Sequence, residues 1–324
     1  MEKLRIKDSP MEILKVSNLT RKFSPTTGVE GVNFTLRAGR VLAYLGHNGA
    51  GKTTTIRALL GLLKADAGEI SYFGSPCDTA SVEFDRLRRQ VGVCLDAPGF
   101  YAELNALDNL RLFGGLYGLA GRELEARAAY LLGKLGLADA GRKKVKEFSK
   151  GMTQKLALAR AMQHKPRLLF LDEPMSGLDP EARITMRDFL GELSEKEGVS
   201  IFLTSHDLNE VEQIAHEVII LEKGRVKLSG ELAALKESFR KIGVCTLVFD
   251  KVPAPSAVAA IASALGACKR ELDGRELSLD CEREVTIEAA AAACAKAGVK
   301  LEEFRKERAT LEQIYFESLS KNEN

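Results

Sequence analysis

Gly46-His47-Asn48-Gly49-Ala50-Gly51-Lys52-Thr53 fits the pattern G-x-x-x-x-G-K-[ST] without a mismatch, and it separates two kinds of hydrophobic periodicity. Before it, Val32-Asn33-Phe34-Thr35-Leu36 alternates apolar and polar residues, and Val41-Leu42-Ala43-Tyr44-Leu45 runs straight into the glycines. Both read as strand. After it, Ile56, Leu59, Leu60 and Leu63 fall at i, i+3, i+4 and i+7, which predicts a helix with one buried face. A glycine-rich turn between strand and helix lets successive backbone N–H groups face phosphate oxygens, and the helix N-terminus adds partial positive charge. Lys52 is placed to neutralise β and γ phosphates and Thr53 to ligate Mg²⁺, with Thr54 completing the phosphate-binding stretch.

Leu168-Leu169-Phe170-Leu171-Asp172-Glu173 is the natural partner of that loop. Four apolar residues predict a buried strand whose C-terminal end delivers two carboxylates into the crevice where open α/β sheets bind ligands. Asp172 is placed to hold Mg²⁺ through its water shell, and Glu173 to orient or deprotonate an attacking water. Further strands, Val91-Gly92-Val93-Cys94-Leu95 and Ser200-Ile201-Phe202-Leu203, alternate with helical stretches, including Met152 to Gln163. That alternation implies parallel pairing and an α/β fold.

Ser149 lies 23 residues before Asp172, in Phe148-Ser149-Lys150-Gly151-Met152. This segment resembles the L-S-G-G-Q signature of ABC-type ATPases: Ser149, Gly151 and the following Gln154 match, whereas Phe148, Lys150 and Met152 depart. A lone S-x-G is an ordinary helix cap; its distance from the acidic strand makes it informative. Other parts of the family pattern follow in order. Ser176-Gly177-Leu178-Asp179 resembles the loop through which two cassettes communicate, His206 in Thr204-Ser205-His206-Asp207 resembles the switch histidine at the γ-phosphate, and Phe23 stands where the family places an aromatic ring on adenine. Asp96 stands where the family usually has Gln; it can still ligate Mg²⁺ but is one methylene shorter and adds negative charge.

The resemblance covers roughly residues 11 to 235. It implies a P-loop cassette with a mixed, mostly parallel core sheet, an antiparallel β-subdomain and a helical subdomain at about 97–150. Its implied work is ATP hydrolysis with Mg²⁺. Two chains would associate head to tail, the Ser149–Met152 stretch of one acting on the nucleotide of the other. The implied partners are a second copy or a paralogous ATPase, and an integral membrane permease that docks on the helical region. The S-K-G-M variant, the single cassette and the short tail look most like ATP-binding subunits of ABC-2-type exporters. Two readings stay beside this one: an importer ATPase with a regulatory tail, and a soluble ABC ATPase acting on ribosomes or DNA. Against the latter, the chain has one phosphate loop, 120 positions from Lys52 to Asp172, and no sustained heptads.

The tail, expected as a separate accessory domain over 241–324 beside a cassette over 1–240, reads strand, helix, strand, strand, helix, strand and closing helix. The βαββαβ order suggests a small ferredoxin-like α+β domain. From Arg240 onward it carries 13 basic and 14 acidic residues, and the whole chain of 324 has Lys+Arg 47 against Asp+Glu 45, so no basic face calls for nucleic acid. No apolar run approaches the roughly 20 residues of a membrane-spanning helix, and the N-terminus lacks the apolar block of a secretory signal. The expected location is the cytoplasm, peripheral on the inner face of the membrane through the permease. Six cysteines without a C-x-x-C pair suggest buried thiols rather than a metal or disulfide framework.

Overall fold

Strands fall into three sheets among residues 11–96, 99–239, 244–306 and 309–320, which this computed structural model describes. β1 (Glu12–Ser24) and β2 (Thr27–Arg37) pair antiparallel, β3 (Val41–Leu45) is buried throughout, and the phosphate loop turns into α1 (Lys52–Leu59). The helix stops before the expected Leu63. Gly61 takes φ +67°, and the N–H groups of Gly61 and Leu62 bond back to the carbonyls of Ala58 and Arg57, a left-handed cap that ends the helix. β4 (Ala67–Tyr72), β5 (Ser75–Pro76), α2 (Val82–Arg88) and β6 (Val91–Cys94) follow. The helical stretch then comprises α3 (Ala106–Leu116), α4 (Gly121–Lys134), a 3₁₀ turn at Val145–Glu147, and α5 (Lys150–Met162). After it come β7 (Leu168–Asp172), α6 (Pro180–Glu195), β8 (Ser200–Ser205), α7 (Leu208–Glu212), β9 (Glu217–Glu222) and β10 (Arg225–Glu231).

The central sheet has the order β10-β9-β3-β8-β7-β6, parallel except for the β9–β10 pair. Strands β3, β7 and β8 are buried at every residue, as a parallel sheet covered on both faces requires. Phe170, Phe202, Tyr44 and Phe34 form its aromatic core, with neighbouring ring centroids 5.3 to 6.2 Å apart. Register decides the site: Leu45 pairs with Ser205 and Asp172 with Thr204, so the ends of β3, β8 and β7 stand side by side. A second, antiparallel sheet, β2-β1-β4-β5, carries Phe23 near the end of β1.

The first compact unit comprises the residues up to Leu232 together with those from Ser318 onward, and the second spans Ala233–Glu317. After α8 (Leu232–Ser238), the second contains β11 (Val244–Phe249), α9 (Pro255–Ala264), β12 (Ala267–Asp273), β13 (Glu276–Cys281), α10 (Ile287–Lys296), β14 (Leu301–Lys306) and α11 (Leu311–Ser320) as far as Glu317. Its sheet is antiparallel in the order β12-β13-β11-β14, the split-βαβ arrangement. Leu247, Phe249, Ile261, Leu277, Leu279 and Ala290 fill its core. No helix among the described residues is long and apolar enough to cross a membrane.

Candidate active site

The phosphate loop, Asp172 at the end of β7, the Glu173 that follows it, Asp96 and Phe23 share one cleft of about 290 Å³. His47, Asn48, Gly49, Gly51, Lys52, Thr53 and Thr54 line it from the loop side. Gly51, which caps α1 with no side-chain bond, takes φ +111°, and a Cβ there would sit 2.5 Å from Val29 Cγ1; only glycine fits. Buried Ala50 donates its N–H to the His47 carbonyl at 3.1 Å, folding the loop over itself. Phe23 is 58% exposed and presents its ring to the cleft.

Lys52 is buried, and its Nζ donates to the Gly46 carbonyl at 2.6 Å while lying 3.2 Å from Glu173 Oε1. The other Glu173 oxygen, Oε2, is 2.7 Å from His206 Nδ1. A single carboxylate thus lies between a lysine from α1 and a histidine that follows β8. Glu173 itself takes φ +51°, a left-handed conformation unusual for a non-glycine residue. Its N–H donates to Thr204 Oγ1 at 3.0 Å, which holds the backbone in that shape.

In the sequence Thr204 is simply a polar residue that ends an apolar strand, with nothing to mark it as part of the site. Fully buried, it also donates through Oγ1 to Asp172 Oδ1 at 2.7 Å, while Thr53 Oγ1 donates to Asp172 Oδ2 at 3.2 Å. Thr53 and Asp172 present hard oxygen donors at one point of the cleft, and Asp96 is an exposed carboxylate in the same wall. That chemistry suits Mg²⁺, which keeps several waters and takes one or two carboxylates beside substrate phosphates. Among the described residues there is no group of three or more His, Cys, Asp or Glu that could hold a metal ion. Thr27 and Gly28, also absent from the sequence-based set, line the cleft as well.

The Ser149 segment does not line this cleft. Ser149 caps α5, its Oγ accepting from Met152 N at 3.2 Å; Ser149 and Lys150 are exposed, Met152 is half-buried and Gly151 is buried. Gly151 and Gly177 approach Asp179 and Lys150 respectively, so this segment adjoins the Ser176–Asp179 loop. Asp179 caps α6 through Ala182 N at 2.9 Å, and Leu178 is buried. Gln154, expected with the outward-facing segment, points the other way: it is buried, with Nε2 3.7 Å from Cys94 Sγ, because its position on α5 faces β6.

Residues 29–176 match the family described as ABC transporter. Over 229 residues the chain is 37% identical to the bacitracin transport ATP-binding protein BcrA of Bacillus licheniformis, covering 71% of this chain and 73% of that protein. This chain belongs to the ABC transporter ATP-binding proteins. It is 36% identical to the Nod factor export ATP-binding protein I of Burkholderia lata, over 71% of this chain and 74% of the relative. A solved ATP-binding subunit of an ABC transporter superposes with a TM-score of 0.62 at 33% identity, covering 70% of this chain and 93% of that one. As an ABC ATPase, the chain binds and hydrolyses ATP, and the phosphate loop, Asp96, Asp172 and Glu173 of the cleft fall within the matched residues 29–176.

Proposed function

We propose that this chain is the ATP-hydrolysing subunit of an ABC-2-type exporter, acting as a head-to-tail dimer on the cytoplasmic side of a separate membrane permease. The observation that carries the catalytic part is the Glu173 carboxylate held between Lys52, at 3.2 Å, and His206, at 2.7 Å, beside Asp172. Relatives whose names include bacitracin transport and Nod factor export support the exporter reading. In this reading the cassette takes 1–240 and the accessory domain 241–324, a boundary a few residues past the Leu232–Ala233 division of the two compact units, and the permease docks on the helical region around 97–150.

In this reading the adenine stacks on Phe23 and the triphosphate lies in the loop from Gly46 to Thr54. Lys52 exchanges its bond to Glu173 for the β and γ phosphates, where its charge offsets that of the nucleotide. Glu173, released from the lysine, orients the attacking water and accepts its proton through a carboxylate oxygen. His206 holds the other oxygen of Glu173 and faces the γ-phosphate. Mg²⁺, when bound, neutralises phosphate charge; Thr53 and Asp172 would hold it, with Asp96 close by. Ser149 and the neighbouring N–H groups of α5 would meet the γ-phosphate bound by a second chain, since a helix N-terminus favours an anion. The Ser176–Asp179 loop would pass the state of one site to the other.

Glu173→Gln tests the assignment, because the amide keeps the shape but cannot accept the proton. Hydrolysis should fall by about 10² to 10⁴ while ATP still binds, and an ATP-bound dimer should accumulate on size exclusion. A purified variant hydrolysing at a near wild-type rate would remove Glu173 from the role of base.

A further inference from the structure

Arg183 stands in the first turn of α6, four residues after the capping Asp179. Its Nε donates to the Leu178 carbonyl at 2.9 Å, and its Nη1 lies 2.9 Å from Glu210 Oε1 and 3.5 Å from Asp207 Oδ2. One planar fork therefore joins two segments that are distant in sequence. The first is the Ser176–Asp179 loop, whose Ser176 N–H donates to the Glu173 carbonyl at 3.2 Å. The second is the turn after β8, in which Asp207 follows His206 and caps α7 through Glu210 N at 3.2 Å. Arg187, one turn further along α6, bonds to Gln213 at the far end of α7, so α6 grips α7 at both ends. The contacts close a ring from Glu173 to Ser176 and Leu178, across Arg183 to Asp207 and His206, and back to Glu173 Oε2.

The His206 side chain is 53% exposed, so its aim at Glu173 is set by the backbone of its turn rather than by close packing. The Arg183 side chain is 41% exposed, and ion pairs that wet contribute little to folding stability. A fork of five fixed donors is instead suited to holding two segments in register. We infer that Arg183 is a positioning residue that makes the alignment of His206 with Glu173 depend on the seating of the Ser176–Asp179 loop, and through it on a second copy of the chain. This rests on the catalytic reading of Glu173 and His206 proposed above.

The test is steady-state ATP hydrolysis by the full chain carrying Arg183→Met or Arg183→Lys, each also combined with His206→Ala. Arg183→Met should lower kcat by about tenfold to a hundredfold, the scale of a small misplacement of a reacting group, while KM for ATP changes less than about twofold. Arg183→Lys should recover part of the rate, since an ammonium can meet Glu210 but lacks the fork that also reaches the Leu178 carbonyl. In the His206→Ala background, Arg183→Met should cost nothing further, because its effect passes through the missing ring. A multiplicative loss in the double variant would overturn the coupling, as would an unchanged kcat in Arg183→Met. A full rate in His206→Ala alone would instead remove the role of His206 and overturn both readings together. Matching thermal melts of the single variants and the wild type keep the comparison one of rate.

Discussion

Replacing Thr204 by Val should both loosen the cassette and stop its chemistry. The hydroxyl is fully buried, donates to Asp172 Oδ1 at 2.7 Å, and accepts the Glu173 N–H at 3.0 Å. Valine matches the shape but offers neither bond. A hydrogen bond to a charged group contributes about 1.5–3 kcal/mol, and a buried N–H left without a partner costs about 1–3 kcal/mol. The two losses share one oxygen, so they should not add fully; about 3 kcal/mol is the expected sum. For a cooperative unit of this size, roughly 2–4 °C per kcal/mol converts that to a fall in melting temperature of about 6–12 °C. Turnover should fall with it, because the Thr204 bond holds Glu173 at φ +51°, and a relaxed backbone turns Oε2 away from His206. Thr204→Ser keeps the hydroxyl and should recover most of both. Calorimetry and ATP hydrolysis on the same samples provide the check. A Thr204→Val protein melting within about 2 °C of wild type, with normal turnover, would refute the reasoning, since roughly 1 kcal/mol or less would then separate the two.

Phe23→Ala should weaken ATP binding by about fivefold to 150-fold, the 1–3 kcal/mol that base–aromatic stacking contributes, whereas Phe23→Trp should bind near normally; titration with a non-hydrolysable ATP analogue reads both. Mixing inactive Ser149→Arg and Lys52→Ala chains should restore part of the ATPase activity, because a mixed dimer confines both defects to one shared site; no recovery with mixed dimers demonstrably formed would count against head-to-tail sharing. His164 stacks on Tyr117 at 3.8 Å, and burial, with Arg127 nearby, holds its pKa below the ordinary 6.5. The unfolded chain therefore takes up a proton near pH 6.5 that the folded chain resists, so the contribution of this group is present above that pH and is lost as pH falls below it. His164→Gln should flatten the decline of melting temperature between about pH 6.5 and 5; an unchanged slope would refute the assignment.

Features that depend on local conformation and periodicity can be read directly along the chain. The turn from Gly46 to Thr53 is legible because its glycines and its strand and helix flanks lie within a few residues of one another, and β7 is legible because a strand covered on both faces must be apolar throughout. The order of elements in the tail is legible for the same reason. Periodicity carries the helix after the loop on to Leu63 because it does not register the left-handed stop at Gly61. Which side chains meet depends instead on how the elements pack. Thr204 reaches Asp172 because β7 and β8 pair in parallel with those two residues opposite one another, and a one-residue change of register would separate them. The same holds for Lys52 with Glu173, Arg183 with Glu210, and the inward turn of Gln154. Each contact joins residues from different elements, and its distance is fixed by sheet register and helix packing, which depend on the whole core at once rather than on any stretch that can be read along the chain.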